Sequence, residues 1–84
     1  RNLAVEAVRV YPNPAKGQFS IQGILELGEI RIFNAVGQLM KDILVANGQS
    51  TLDVDIQGWV AGLYYVECYN VSGSQIDKQI LVVE

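Results

Sequence analysis

Residues 51–56 read TLDVDI, and this strict alternation of apolar and acidic side chains is what most restricts the fold. A period of two places Leu52, Val54 and Ile56 on one side of an extended chain and Asp53 and Asp55 on the other. That is the pattern of a strand with one buried and one wet face. The same period recurs along the chain. VEAVRVY (5–11) is rich in β-formers, QFSI (18–21) sets Phe19 and Ile21 on one face, and EIRIF (29–33) puts Ile30 with Ile32. LYYVECY (63–69) divides Tyr64, Val66 and Cys68 from Tyr65, Glu67 and Tyr69, and QIDKQILVV (75–83) closes the series. LMKDILV (39–45) is less regular: Leu39, Ile43 and Val45 share a face with Lys41, which points to a bulge or an edge position. The best helical candidate, GILELGEI (23–30), is short and flanked by glycine, so helix is not expected.

Turn-formers separate these runs: Gly23, Gly28, Asn34 to Gly37, Asn47-Gly48, Gly58, Gly62 and Ser72-Gly73-Ser74. Seven short strands with such breaks predict an all-β sandwich, and 84 residues make room for one domain. Half of the residues are hydrophobic, enough for a packed core without disulfides. Both prolines fall in VYPNPAKGQF (10–19). Pro12 removes a backbone N–H and holds Tyr11 extended, so the first strand is expected to stop there. Asn13-Pro14-Ala15-Lys16 then reads as a type I turn, followed by Gly17 at positive φ. The expectation is a rigid corner between two strands.

The residue inventory excludes several functions. A net charge of −3, with six scattered Lys and Arg, argues against nucleic acid and anionic lipid as partners. No apolar run approaches the ~20 residues of a membrane helix. The chain has no histidine, so Ser-His and Cys-His nucleophile pairs are absent, and no catalytic residue is assigned. Cys68 is the single cysteine; it forms no internal disulfide or cysteine metal cage and lies on the face assigned to the core, where a thiol is inert. Asp53 and Asp55 stand roughly 7 Å apart, a spacing open to a glycosidase pair or a calcium site, but nothing beside them supplies further ligands and a solvated strand face is the better reading. No metal or cofactor is expected. Asn70-Val71-Ser72 matches the N-glycosylation pattern, a weak signal. Trp59, Tyr65 and Tyr69 read either as a sugar-binding platform or as cross-strand packing. The chain begins at Arg1 without Met, which suggests a fragment of something longer.

The last run is the odd one. ILVVE places four apolar residues in a row, so both faces of that strand are greasy. Either the strand is central, paired on both sides and covered, or it is presented to a partner that adds to its edge. In the second reading Lys78 guards the edge, and a homodimer through the C-terminal strand becomes an expectation.

Together, VYPNPAKGQFSI, IRIFNAVGQLM, LDVDIQGWVAGLYYVECY and SGSQIDKQILVVE resemble the C-terminal sorting domain (type A) of type IX secretion system cargo, over nearly all of Val10 to Glu84. The resemblance rests on Pro12, Asn13, Pro14 and Gly17 in the opening corner, Gly37 in the third-to-fourth strand hairpin, and Gly62 and Tyr64 before the sixth strand. Gly73, Lys78, Ile80, Leu81, Val82 and Val83 complete it. It implies a small immunoglobulin-like β-sandwich of about seven antiparallel-rich strands that acts as a non-catalytic address label. It further implies passage through the periplasm, delivery across the outer membrane to the cell surface or medium, and contact with type IX translocon and shuttle proteins. A sortase-like peptidase commonly removes such a domain, and the cargo is often joined to surface lipopolysaccharide. Residues 1–84 are read as the sorting domain, with 1–4 as a linker and the cleavage site in or before the first few residues. Trp59 and Val60 depart from the family, which usually has leucine and often proline before the Ala-Gly pair. The corner is taken as scaffold, and Lys78, Ile80, Leu81, Val82, Val83 and Glu84 as what the translocon reads. The alternative is an adhesive or carbohydrate-binding sandwich retained on a secreted protein.

Overall fold

The computed structural model describes residues 7–84. The linker expected over 1–4, the cleavage site and the start of the first run at Val5 lie outside the described residues. Seven strands follow one another: β1 (Arg9–Lys16), β2 (Gln18–Gln22), β3 (Leu27–Asn34), β4 (Leu39–Leu44), β5 (Thr51–Asp55), β6 (Gly62–Asn70) and β7 (Gln75–Val83). Each sits on one of the alternating runs, and there is no helix among the described residues.

The strands form a sandwich of two antiparallel sheets. One holds β1, β2 and β5; the other runs β4-β3-β6-β7. β4 pairs β3, whereas an antibody constant domain sets its fourth strand beside the fifth. Alternation decides what lies between the sheets. Phe19 and Ile21 of β2 and Val54 and Ile56 at β5 face Ile30 and Ile32 of β3. Tyr64, Val66 and Cys68 of β6 and Leu81 and Val83 of β7 complete this layer, and all are buried. Ile24 and Leu27 seal one end, drawn together by a turn in which Leu27 N–H donates to Ile24 C=O at 3.0 Å.

The opening corner differs from its sequence reading. β1 continues through Lys16, no type I turn spans 13–16, and the Tyr11–Pro12 and Asn13–Pro14 peptide bonds are both cis. β1 pairs β2 as far as Tyr11↔Ser20, departs, and resumes only at Lys16↔Gln18. Between these points it meets the other sheet, with Ala15 beside Val83 in a parallel pairing. The prolines explain the departure: lacking N–H groups, they give β2 nothing to accept. The chain therefore crosses from one sheet to the other, and Gly17 alone turns it into β2.

The irregular run becomes an edge strand with a bulge, as its pattern implied. Ile32 pairs Lys41 while Phe33 pairs Leu39, so Met40 is the extra residue. The bulge flips Leu39 to the outer face, 51% exposed, and separates it from Ile43 and Val45, which pack on the core. A second bulge sits at Gly28, between the pairs Leu27↔Asn70 and Glu29↔Tyr69. There the β6–β7 hairpin presses so close that a Cβ would come within 2.9 Å of Val71 Cα.

Candidate functional site

β7 runs between two neighbours. It pairs β6 from Tyr69↔Gln75 to Gly62↔Val83, and its other rim meets β1. Its place in the strand order is central, as the first reading had it, but it is paired along one rim only and not covered on its outer face. Alternation splits the greasy tail: Leu81 and Val83 point into the core, at 0% and 4% exposure, while Ile80 is 53% exposed and Val82 half-buried on the outer face. Lys78 and Glu84 are exposed.

The rim of β7 is closed largely by one side chain. Asn13 Nδ2 donates to Ile80 C=O at 2.8 Å, and Asn13 Oδ1 accepts from Val82 N–H at 2.9 Å. An amide with one donor and one acceptor has the same hydrogen-bonding groups as a peptide unit, so Asn13 stands where a neighbouring strand would. Ala15 C=O then accepts from Glu84 N–H at 2.9 Å. Asn13, flanked by Pro12 and Pro14, thus lies beside the tail, whereas Gly17 turns away from it, its C=O accepting from Ile56 N–H at 3.0 Å.

Gly62 pairs Val83 at the same end of the sheet. Two residues on, the Tyr64 hydroxyl donates to Val60 C=O at 2.6 Å. This bond back to upstream backbone is the tyrosine corner of immunoglobulin-type sandwiches. Trp59 packs on Tyr64 with ring centroids 5.1 Å apart. Around this corner lies an open groove of about 430 Å³, lined by Val36, Met40, Trp59, Val60 and Leu63 among others. Gly37 and Gly73 sit in hairpin turns, Gly73 at the opposite end of β7 from Val83.

The aromatic trio of the sugar-platform reading is not brought together. Trp59 lies against Tyr64, whose side chain points inward, whereas Tyr65 and Tyr69 stand on the outer face of β6. There Lys78 Nζ covers the Tyr65 ring at 5.1 Å, and the Arg31 guanidinium covers Tyr69 at 4.9 Å. Asp53 and Asp55 are exposed; Asp53 accepts from the Ser20 hydroxyl at 2.6 Å. Cys68 is buried, and burial, helped by the charge of Asp77, pushes its thiol up to about 12. Asn70 Oδ1 is engaged by the backbone N–H groups of Ser72 and Ser74, each at 3.0 Å.

Sequence reading missed a charged row across the outer face. Asp42, Arg31, Glu67 and Lys78 are direct neighbours on β4, β3, β6 and β7. Next to it Leu39, Phe33, Tyr65 and Ile80 form an apolar row in the same order. Arg31 also bonds Glu29 at 2.9 Å. A hydrogen bond from Asp42, then one from Arg31, holds the Glu29 carboxyl below its ordinary value, and the same contact with Glu29 raises Asp42. Alternation had set Glu67 on the face away from the core, but which side chains lie side by side depends on strand order.

The described chain thus pairs an immunoglobulin-type sandwich with a last strand anchored inward, decorated outward and clasped by the proline corner. A family model described as a secretion system C-terminal sorting domain matches residues 9–83. The chain belongs to that family. The match begins where β1 begins and ends where β7 ends, so it covers the whole sandwich. No curated protein matches the chain. As a type IX sorting domain it is a secretion signal, and the corner and tail that carried the resemblance are the two parts of this sorting domain that meet in space.

Proposed function

We propose that this sorting domain carries an attached cargo through the periplasm and across the outer membrane via the type IX machinery, and that a sortase-like peptidase then removes it at the surface. Translocon and shuttle proteins read the last strand from its outer face, through Lys78, Ile80, Val82 and the terminal Glu84. Leu81 and Val83 hold that strand in place and act on recognition only through it. No catalysis is involved: the sequence has no histidine, and the one thiol is buried and held protonated. The observation that carries this reading is the division of labour in β7, where anchoring and presented side chains alternate within one family-matched strand.

The test is a reporter fused to this domain and scored for surface delivery. Ile80→Ser with Val82→Ser, and separately Lys78→Glu, alter the presented face and leave the buried layer intact. Delivery should be lost while circular dichroism and the melting temperature of the isolated domain stay close to those of the parent. Full surface delivery by both folded variants would refute recognition at this face. Release of the reporter free of the domain, read by mass spectrometry of surface material, tests removal separately.

A further inference from the structure

A hydrogen-bonding rim at the end of a sheet must be paired, covered or blunted, because an open one recruits other strands. The rim of β7 is blunted in an unusual way. No backbone ladder with β1 runs along it; among the described residues the only strand pairing on this rim is Ala15 beside Val83. The groups that a neighbouring strand would engage, Ile80 C=O and Val82 N–H, are instead taken by the amide of Asn13 at 2.8 and 2.9 Å. Pro12 and Pro14 flank Asn13 and have no N–H to offer. At this point of the rim the side chain makes the contacts that β1's backbone does not.

We infer that Asn13 is a latch that keeps the last strand of each molecule from pairing with the last strand of another. The occupant it excludes is a second copy of this chain. Two β7 rims brought together antiparallel about a two-fold axis offer each other the same acceptor and donor, so the pairing is self-complementary. Ile80 and Val82 would add apolar contacts beside that junction, and from Gln79 to Val83 the strand carries no charge to oppose it. The dimer expected through this strand is therefore conditional: it forms when the latch is removed. This inference rests on the fold and not on the secretion reading.

Amide hydrogen exchange and oligomeric state, measured on this chain and on Asn13→Ala, test it. In the parent, the Val82 amide should exchange as slowly as the amides of β6, and the chain should run as a monomer. In dilute, monomeric Asn13→Ala, Val82 exchange should rise roughly tenfold, the scale of one lost hydrogen bond; at sub-millimolar concentration a dimer should appear and slow that exchange again. A fast Val82 amide in the parent overturns the inference without any variant, so a variant that fails to fold does not protect it. Unchanged Val82 exchange in folded, monomeric Asn13→Ala, or opened exchange with a monomer that persists at sub-millimolar concentration, overturns it equally.

Discussion

Asn34 and Asn70 hold the same post in two different hairpins. Each side-chain oxygen accepts from the backbone N–H groups two and four positions on: Val36 and Gln38 at 3.1 and 2.8 Å, and Ser72 and Ser74 at 3.0 Å each. Each loop places glycine three positions after the asparagine, with φ of 89° at both Gly37 and Gly73. This is a type I turn closed by a left-handed residue, the three-residue hairpin connection. Asn34→Ala and Asn70→Ala should each cost about 1 kcal/mol in denaturant unfolding, because the freed N–H groups can bond water. The two loops share no partner, so the double variant should lose the sum.

Removing residues 80–84 should unfold the domain. The cut takes out Leu81 and Val83, both in the core, and the contacts of Asn13 and Ala15. Truncating one buried leucine costs about 2–5 kcal/mol, and a chain this size has about 4–13 kcal/mol in total. Circular dichroism of the truncated chain should therefore show loss of the β signal at room temperature. A failure of that truncation to be exported would then report on folding, which is why substitutions on the outer face are the cleaner probe.

Cys68 should be silent toward thiol reagents in the folded state. Its sulfur lies between the sheets, and burial pushes the thiol up to about 12, so the reactive thiolate is scarce even in mild alkali. Labelling by a disulfide reagent at pH 8 should follow the rate of unfolding and become complete in denaturant. Rapid labelling of the native chain would contradict the assigned face of β6.

Asp42 should be a small liability at neutral pH. Its contact with Glu29 raises it above its ordinary 3.8, so the folded state holds that proton more tightly than the unfolded state. The stability it lends is complete below that value and is lost as pH rises through the folded value. Glu29, lowered from 4.5, acts with opposite sign: its share is present above 4.5 and fades as pH falls through the depressed value. Asp42→Asn should thus melt higher than the parent at pH 7, with the advantage gone at pH 3. A variant that melts lower at pH 7 would show that Arg31, not Glu29, dominates at this position.

The alternation of side chains was enough to place all seven strands and to name most of the core. Phe19, Ile21, Ile30, Ile32, Val54, Ile56, Val66 and Cys68 are where a period of two puts them. That period belongs to the extended backbone itself, so a few neighbouring residues reveal it. Lys41 on an apolar face likewise betrayed the edge and bulge of β4. What the tertiary structure decided was partnership. Leu39 turned outward because of a bulge against β3, the charged row formed because four strands lie in one order, and the proline corner became a crossover between sheets. Above all, Asn13 found Ile80 and Val82 across 67 and 69 positions. Nothing local to YPNP calls for an acceptor and a donor spaced that way. Only folding brings the last strand beside it, because the closure of a rim depends on what else in the chain comes near.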